Sequence, residues 1–377
     1  MTALAKATSA FDRMGMDSSI RSIRSENSNE IESDKFLTMH TSPVKAAEGR
    51  ASEAPKATLR VIGKNSVNVN MAMAELLNSH GCVPRRRPPR ARARASRRGR
   101  SESFRGKERS TDRSGTSRKR RCVVEHSEQF RDHEVDCYFQ RVEFCYGTMR
   151  KPAAALEDAL DEVCGRLGLE FNLNWGTRPK RVCIFVSKYD HVLWEILLRH
   201  KAGELPCDIP LIISNHEDLR PIADAFGIRF EVFKITKDTK RAVEDLEFEL
   251  MRELEIDLVV LARYMQIISD EFCAQFRFRV INIHHSFLPA FIGAKPYHRA
   301  FDRGVKLIGA TAHYATANLD EGPIIEQEVE SVSHRDSIDD LLRKGRGVER
   351  RTLLAALHAH LDDRVIVYGN KTVVFED

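Results

Sequence analysis

Between residues 181 and 329 the chain repeats one pattern: a short, nearly all-apolar run, then a longer segment with apolar residues at helical spacing. The runs are Arg181–Val186, Pro210–Ile213, Phe230–Phe233, Asp257–Leu261, Val280–Ile283, Ile308–Tyr314 and Ile324–Val329. A run that is apolar on both alternating faces reads as a strand buried on both faces. Such strands separated by helices form a mostly parallel sheet with helices on both sides. The helical segments are Asp190–Ala202, Asp218–Phe226, Asp238–Leu254 and Ser269–Phe276, with Asp190, Asp218 and Asp238 placed as N-caps. A long helix is expected over Ser337–Leu361, and a hairpin over Arg364–Phe375 turning at Gly369-Asn370. The apolar runs fall well short of the roughly 20 residues a membrane span needs, so no membrane role is expected.

Upstream the texture differs. Residues 1–55 are rich in Ser, Ala, Asn and charge without a sustained period and read as disordered. A small α+β unit is expected over 56–174. Its parts are a strand at Ala57–Ile62, a helix at Val67–His80 closed by Gly81, an alternating strand at Cys137–Cys145, a helix at Pro152–Gly168 and a strand at Leu169–Leu173. An insert at 83–132, read as disordered, interrupts it. The formal charge of +5 belongs to this insert: residues 85–121 hold fifteen Arg and two Lys against three acids, about +14, which leaves the remainder near −9. Phe104 is the insert's only aromatic between 85 and 121, so it offers no platform for stacking bases. We read it as a solvated loop rather than a nucleic-acid-binding tract. The eight Cys form no CxxC pair and follow no signal-peptide pattern, which reads as reduced thiols used as small apolar filler, with no structural metal. Arg13, Arg21 and Arg24 among serines suit an import peptide, whereas Asp12, Asp17, Glu26, Glu30 and Glu32 oppose it. The cytoplasm is the expected compartment, with the mitochondrion as the other reading.

Polar chemistry gathers at the ends of two of the apolar runs. In Val280-Ile-Asn282-Ile-His284-His285 the two-residue period of a strand puts Asn282 and His284 on one face. They leave the carboxyl edge of the sheet together, where open α/β folds bind ligands. Ile308–Tyr314 carries His313, and Asp320 follows in the next turn. An amide N–H can donate to a developing oxyanion, an imidazole can move protons near neutral pH, and a carboxylate can orient the imidazole or hold a water. Taken singly, Asn282 is equally a turn former, and His284 and His313 are equally satisfied core groups.

The segment from about Arg178 to Phe375 resembles the formyltransferase fold, and within it the formyltetrahydrofolate deformylase family. The resemblance rests on Val186-Ser-Lys-Tyr-Asp-His191, Ile212-Ile-Ser-Asn-His216, Leu261-Ala-Arg-Tyr-Met-Gln-Ile-Ile-Ser269, Asn282-Ile-His-His-Ser-Phe-Leu-Pro289, Gly309-Ala-Thr-Ala-His-Tyr314, Asn318-Leu-Asp-Glu-Gly-Pro-Ile-Ile325 and Val367-Tyr-Gly-Asn370. It implies a catalytic domain over 178–377 with Asn282, His284 and Asp320 as catalytic residues. It also implies a folate site at Met265, Gln266, Ile267, Ile268, His313 and Ala315, and neither metal nor organic cofactor. The implied reaction is hydrolysis of 10-formyltetrahydrofolate to formate and tetrahydrofolate, which supplies formate to one-carbon and purine metabolism. The alternative is transfer of the formyl group to a small amine such as glycinamide ribonucleotide. Against that, the Gly/Ser-rich phosphate loop of the transferring relatives is replaced here by Val186-Ser-Lys-Tyr-Asp-His191. The resemblance further implies that the unit over 56–174 is an ACT-type βαββαβ module that takes an amino-acid effector, and that the chain assembles into homo-oligomers. Gly63-Lys-Asn-Ser-Val67 departs from the Pro-Asp and Gly of the ACT pattern, which leaves the effector open. His285 is read as structural rather than catalytic.

Overall fold

The computed structural model describes residues 55–64, 69–84, 123–147, 149–236, 238–290 and 295–376. The N-terminal segment read as disordered lies outside the described residues up to position 54, as does the basic run at 85–122. The chain divides into two compact units. One holds Lys180–Gly322 and Gln327–Leu353. The other holds Ala54–Pro179, Pro323–Glu326 and Leu354–Asp377.

The second unit contains β1 (Lys56–Lys64), α1 (Val69–Ser79), β2 (Val83–Pro84), β3 (Val123–Asp132), β4 (Cys137–Cys145), α2 (Ala153–Leu167) and β5 (Leu169–Asn174). Its sheet has the order β2-β3-β4-β1-β5. Alternation along β1 buries Ala57, Leu59 and Val61, which pack with Met73 of α1 and Leu156 and Leu160 of α2. Gly168 ends α2 in the left-handed conformation, where its amide closes back on the last turn.

Two expectations need correction here. Residues 123–132, counted with the disordered insert, form β3 and pair antiparallel with β4 along its length. The Arg run just before it masks the segment, yet Val123 and Val124 pair with Cys145 and Phe144 of β4 and supply a β face. The domain boundary at 178–377 also moves, because the C-terminal hairpin β13 (Val365–Tyr368) and β14 (Lys371–Val374) belongs with this unit. Ile366 and Phe375 bury against Phe139 of β4, and the Tyr368 ring packs tilted against Phe139 with centroids 4.7 Å apart. Arg141 donates to the carbonyls of Asp362 and Asp363, orphan acceptors just past the end of the last long helix.

The first unit contains β6 (Lys180–Val186), α3 (His191–Lys201), β7 (Cys207–Ser214), α4 (Arg220–Phe226), β8 (Arg229–Val232), α5 (Lys240–Glu253), β9 (Leu258–Leu261), α6 (Asp270–Gln275), β10 (Val280–His284), α7 (Pro296–Arg303) and β11 (Leu307–Tyr314), with most of β12 (Ile324–Ser331) and of α8 (Ile338–Leu361). The sheet order is β12-β11-β10-β9-β6-β7-β8. Strands β6 to β10 run parallel, and β11 runs antiparallel to β10. Val182 to Val186 and Leu258 to Val260 are wholly buried, as a sheet covered on both faces requires. On one face Phe248 of α5 and Phe272 and Phe276 at α6 close over Cys183, Phe185 and Val259. Each helix starts a residue or two later than the sequence suggests. Asp190 occupies an N-cap without a side-chain cap bond, while Leu219 and Thr239 take the places expected for Asp218 and Asp238. Ser269 does cap α6, accepting from the Phe272 amide.

Six cysteines, at 137, 145, 164, 183, 207 and 273, form no disulfide, and all but Cys137 are buried. Cys82, in contrast to the reading of every cysteine as a reduced filler, is disulfide-bonded.

Candidate active site

The fold brings Asn282, His284, His313 and Asp320 together. Asn282 and His284 share a face of β10, and the antiparallel register sets Asn282 opposite His313 of β11. The Asn282 amide nitrogen lies 3.2 Å from His313 Nε2. His313 Nδ1 lies 3.0 Å from the Tyr314 carbonyl, which only accepts, so Nδ1 carries a proton. Because β11 runs against β10, the chain must turn back after Tyr314 to bring Asp320 to the site. The Ala315 amide, bonded to the Val280 carbonyl at 2.8 Å, starts that turn. Asp320 itself sits at φ 58, in the left-handed region that Asp tolerates better than most side chains. Gly322 completes the turn: a Cβ there would stand 1.8 Å from the Tyr314 carbonyl oxygen, so no larger residue fits.

In this position Asp320 holds one imidazole and faces a second. Its Oδ2 is 3.2 Å from His284 Nδ1 and its Oδ1 is 3.7 Å from His313 Nε2. Burial works to raise the Asp320 pKa, but the hydrogen bond from His284, with the His313 ring alongside, outweighs it and holds the carboxyl well below the usual carboxylate range. His284 gives its Nδ1 to Asp320, and its Nε2 is buried with no hydrogen-bond partner. A buried polar nitrogen left unmatched costs roughly 1–3 kcal/mol, which is tolerable where a ligand is to complete it.

The strand end beneath is fixed by Thr311. This wholly buried residue donates to the Ser286 carbonyl, and its oxygen accepts from the Leu288 amide and from Gln327.

The segment expected to line the folate site is pinned at three points. The Ala262 amide bonds to the Phe185 carbonyl, the Met265 amide to Ser187 Oγ, and the Ser269 amide to Glu244. Between these anchors Met265 and Ile267 are exposed apolar side chains, at 53% and 60%, and Gln266 is half-buried. Ile268 and Ala315 pack partly buried against the core. Leu319, beside Asp320, is 59% exposed. Among the described residues no group of three or more His, Cys, Asp and Glu is placed to hold a metal ion.

Sequence reasoning did not find the residues that support this cluster. Arg263 contacts His285, and Glu349, on α8, contacts His191 and Arg263. Their partners lie 22 to 158 positions apart, so spacing carries no trace of them.

A formyl transferase family model matches residues 180–357. A formyltetrahydrofolate deformylase of Synechocystis is 52% identical over 250 residues, which is 66% of this chain and 88% of that protein. The crystal structure of a formyltetrahydrofolate deformylase from Pseudomonas syringae superposes with a TM-score of 0.73 at 34% identity, covering 86% of this chain and 95% of that one. A glycinamide ribonucleotide transformylase from Symbiobacterium toebii reaches a TM-score of 0.50 at 28% identity and covers 54% of this chain. The deformylase thus matches both units, the transformylase about half of the chain.

Proposed function

The chain belongs to the formyltetrahydrofolate deformylase family, and from that premise we propose how its side chains hydrolyse 10-formyltetrahydrofolate. The observation that carries the scheme is the state of His284: Nδ1 held by Asp320, Nε2 buried and unmatched. The formyl carbon lies between Asn282 and His284 Nε2. His284 Nε2 takes a proton from water as the water oxygen attacks the formyl carbon. Asp320, ionised throughout, orients the ring and stabilises the imidazolium. The Asn282 amide has a second N–H beyond the one aimed at His313, and it donates to the oxyanion. Such a donor is worth roughly 3–4 kcal/mol of barrier. The C–N bond then breaks as His284 returns its proton to the folate nitrogen, leaving tetrahydrofolate and formate. His313, turned by the Tyr314 carbonyl, keeps Asn282 and Asp320 aligned.

The scheme draws on water and side chains alone, without metal or organic cofactor. Met265, Gln266, Ile267, Ile268 and Ala315 bind the folate ring system. The unit with the order β1-α1-β2-β3-β4-α2-β5 is the ACT-like module, which takes an amino-acid effector, and the chain works as a homo-oligomer in the cytoplasm. No helix among the described residues is long and apolar enough to cross a membrane.

The deciding experiment is turnover without any amine acceptor in 18O-labelled water. Formate and tetrahydrofolate should appear in equal amounts, with solvent oxygen in the formate. Turnover that needs glycinamide ribonucleotide would favour the transferase reading.

A further inference from the structure

Behind His284 lies a second polar cluster that the scheme above does not use. The His285 ring stacks on His284 with centroids 5.2 Å apart and planes 12° apart. His285 Nδ1 receives a hydrogen bond from Arg263 Nη1. Arg263, at φ 62, places its guanidinium over the Tyr189 ring, 5.0 Å from its centroid. Its Nε is 3.4 Å from Glu349 Oε2, a charge contact rather than an aligned hydrogen bond. Glu349 is 1% exposed, yet both its oxygens are engaged. His191 Nε2 stands 2.8 Å from Oε2, and the Tyr297 hydroxyl donates to Oε1 at 2.7 Å. Tyr297 packs tilted against His285, and any side chain at residue 345 would strike its ring.

These side chains come from the loops after β6, β9 and β10 and from α3, α7 and α8. A buried carboxylate is expensive unless paired and hydrogen-bonded, and here side chains from three other elements, His191, Arg263 and Tyr297, converge on Glu349. We propose that Glu349 is a positioning residue for His284: it balances the Arg263 cation, and by holding Arg263 in place it keeps His285 in one tautomer and flat against the catalytic ring. This rests on the hydrolytic role proposed for His284.

The electrostatics follow from the geometry. Arg263 can only donate, so His285 Nδ1 is an acceptor and its proton sits on Nε2. Burial first, and then the Arg263 charge, push the His285 pKa down to about 3. Hydrogen bonding from His191 and the Arg263 charge keep the Glu349 carboxyl below its ordinary value despite burial. His284, which gains a proton during turnover, therefore faces Asp320 and His313 in front, neutral His285 behind, and beyond it a compensated Arg263–Glu349 pair flanked by His191, Tyr189 and Tyr297. Neutralising Glu349 leaves Arg263 uncompensated, and its field then opposes the imidazolium on His284.

The test is the pH profile of acceptor-free formate release in wild type, Glu349→Gln, Arg263→Met and the double variant. Glu349→Gln should lower kcat about tenfold at neutral pH with KM within threefold, and move the imidazole limb of the kcat profile down by about one pH unit, the scale of one partly buried charge. Adding Arg263→Met should bring that limb back to its wild-type position. An unmoved limb in Glu349→Gln, or equal shifts in single and double variants, overturns the proposal. A second measurement needs no stable variant of Glu349. In 15N-histidine spectra of the wild-type chain, with His285 assigned by His285→Gln, Nδ1 should be unprotonated and Nε2 protonated from pH 5 to 9. A titrating His285 or the opposite tautomer overturns the proposal. A wild-type chain that releases no formate would instead fail the hydrolytic reading, leaving the tautomer to judge the cluster.

Discussion

His284 Nδ1 stands 3.2 Å from Asp320 Oδ2, and the carboxylate that holds it is ionised at every pH where the enzyme would work. The folded pKa is lowered, so the stabilisation it brings is present above the ordinary carboxylate range and lost as pH falls through the depressed value. An acid limb in the activity profile near neutrality therefore belongs to an imidazole and not to Asp320. Asp320→Asn keeps the shape and removes the charge. We expect kcat to fall by about 10²–10⁴-fold, the range of a positioned acid–base group, with folate affinity by calorimetry within a few fold. Wild-type turnover in this variant would contradict the role.

Asn282→Ala removes the donor aimed at the oxyanion and leaves His313 Nε2 without its amide partner. The expected loss is about 10²–10³-fold in kcat with little change in KM, because the interaction forms in the transition state. A rise in KM at constant kcat would instead make Asn282 a substrate-binding group.

Gly322→Ala tests how the Asp320 turn is built. The new Cβ would overlap the Tyr314 carbonyl, which is backbone and cannot swing aside. The turn must shift, and Asp320 with it. We expect a loss of about 1–3 kcal/mol in stability and at least tenfold in kcat, read from urea unfolding and initial rates. Unchanged kcat would show that Asp320 is held by something other than this turn.

The sequence shows a great deal of this site because strand periodicity is a local property. Asn282 and His284 share a face for any chain with that spacing, and the apolar runs at 182–186 and 258–261 read as buried parallel strands. The register that sets His313 opposite Asn282 is not local: it depends on β11 running against β10, which no residue spacing encodes. The same limit hides Glu349, whose partners His191, Arg263 and Tyr297 come from three other elements. It also explains β3, since the Arg run before it dominates the local charge while its strand character depends on pairing with β4.

Glu247 gives a prediction of another kind. It lies one turn from Glu244 on α5, 2% exposed, with Oε1 unpartnered. Burial first, and then the charge of Glu244, raise its pKa from an ordinary 4.5 to about 8. Between those values the folded chain holds a proton that the unfolded chain has released. Stability therefore falls as pH rises through that window and levels off above it. From pH 5.5 to 8.5 the loss should be on the order of 2–3 kcal/mol. Glu247→Gln cannot titrate and should be free of this slope while keeping the buried contacts. Urea midpoints at the two pH values measure it. If wild type and variant shift in parallel, Glu247 is not the group that titrates.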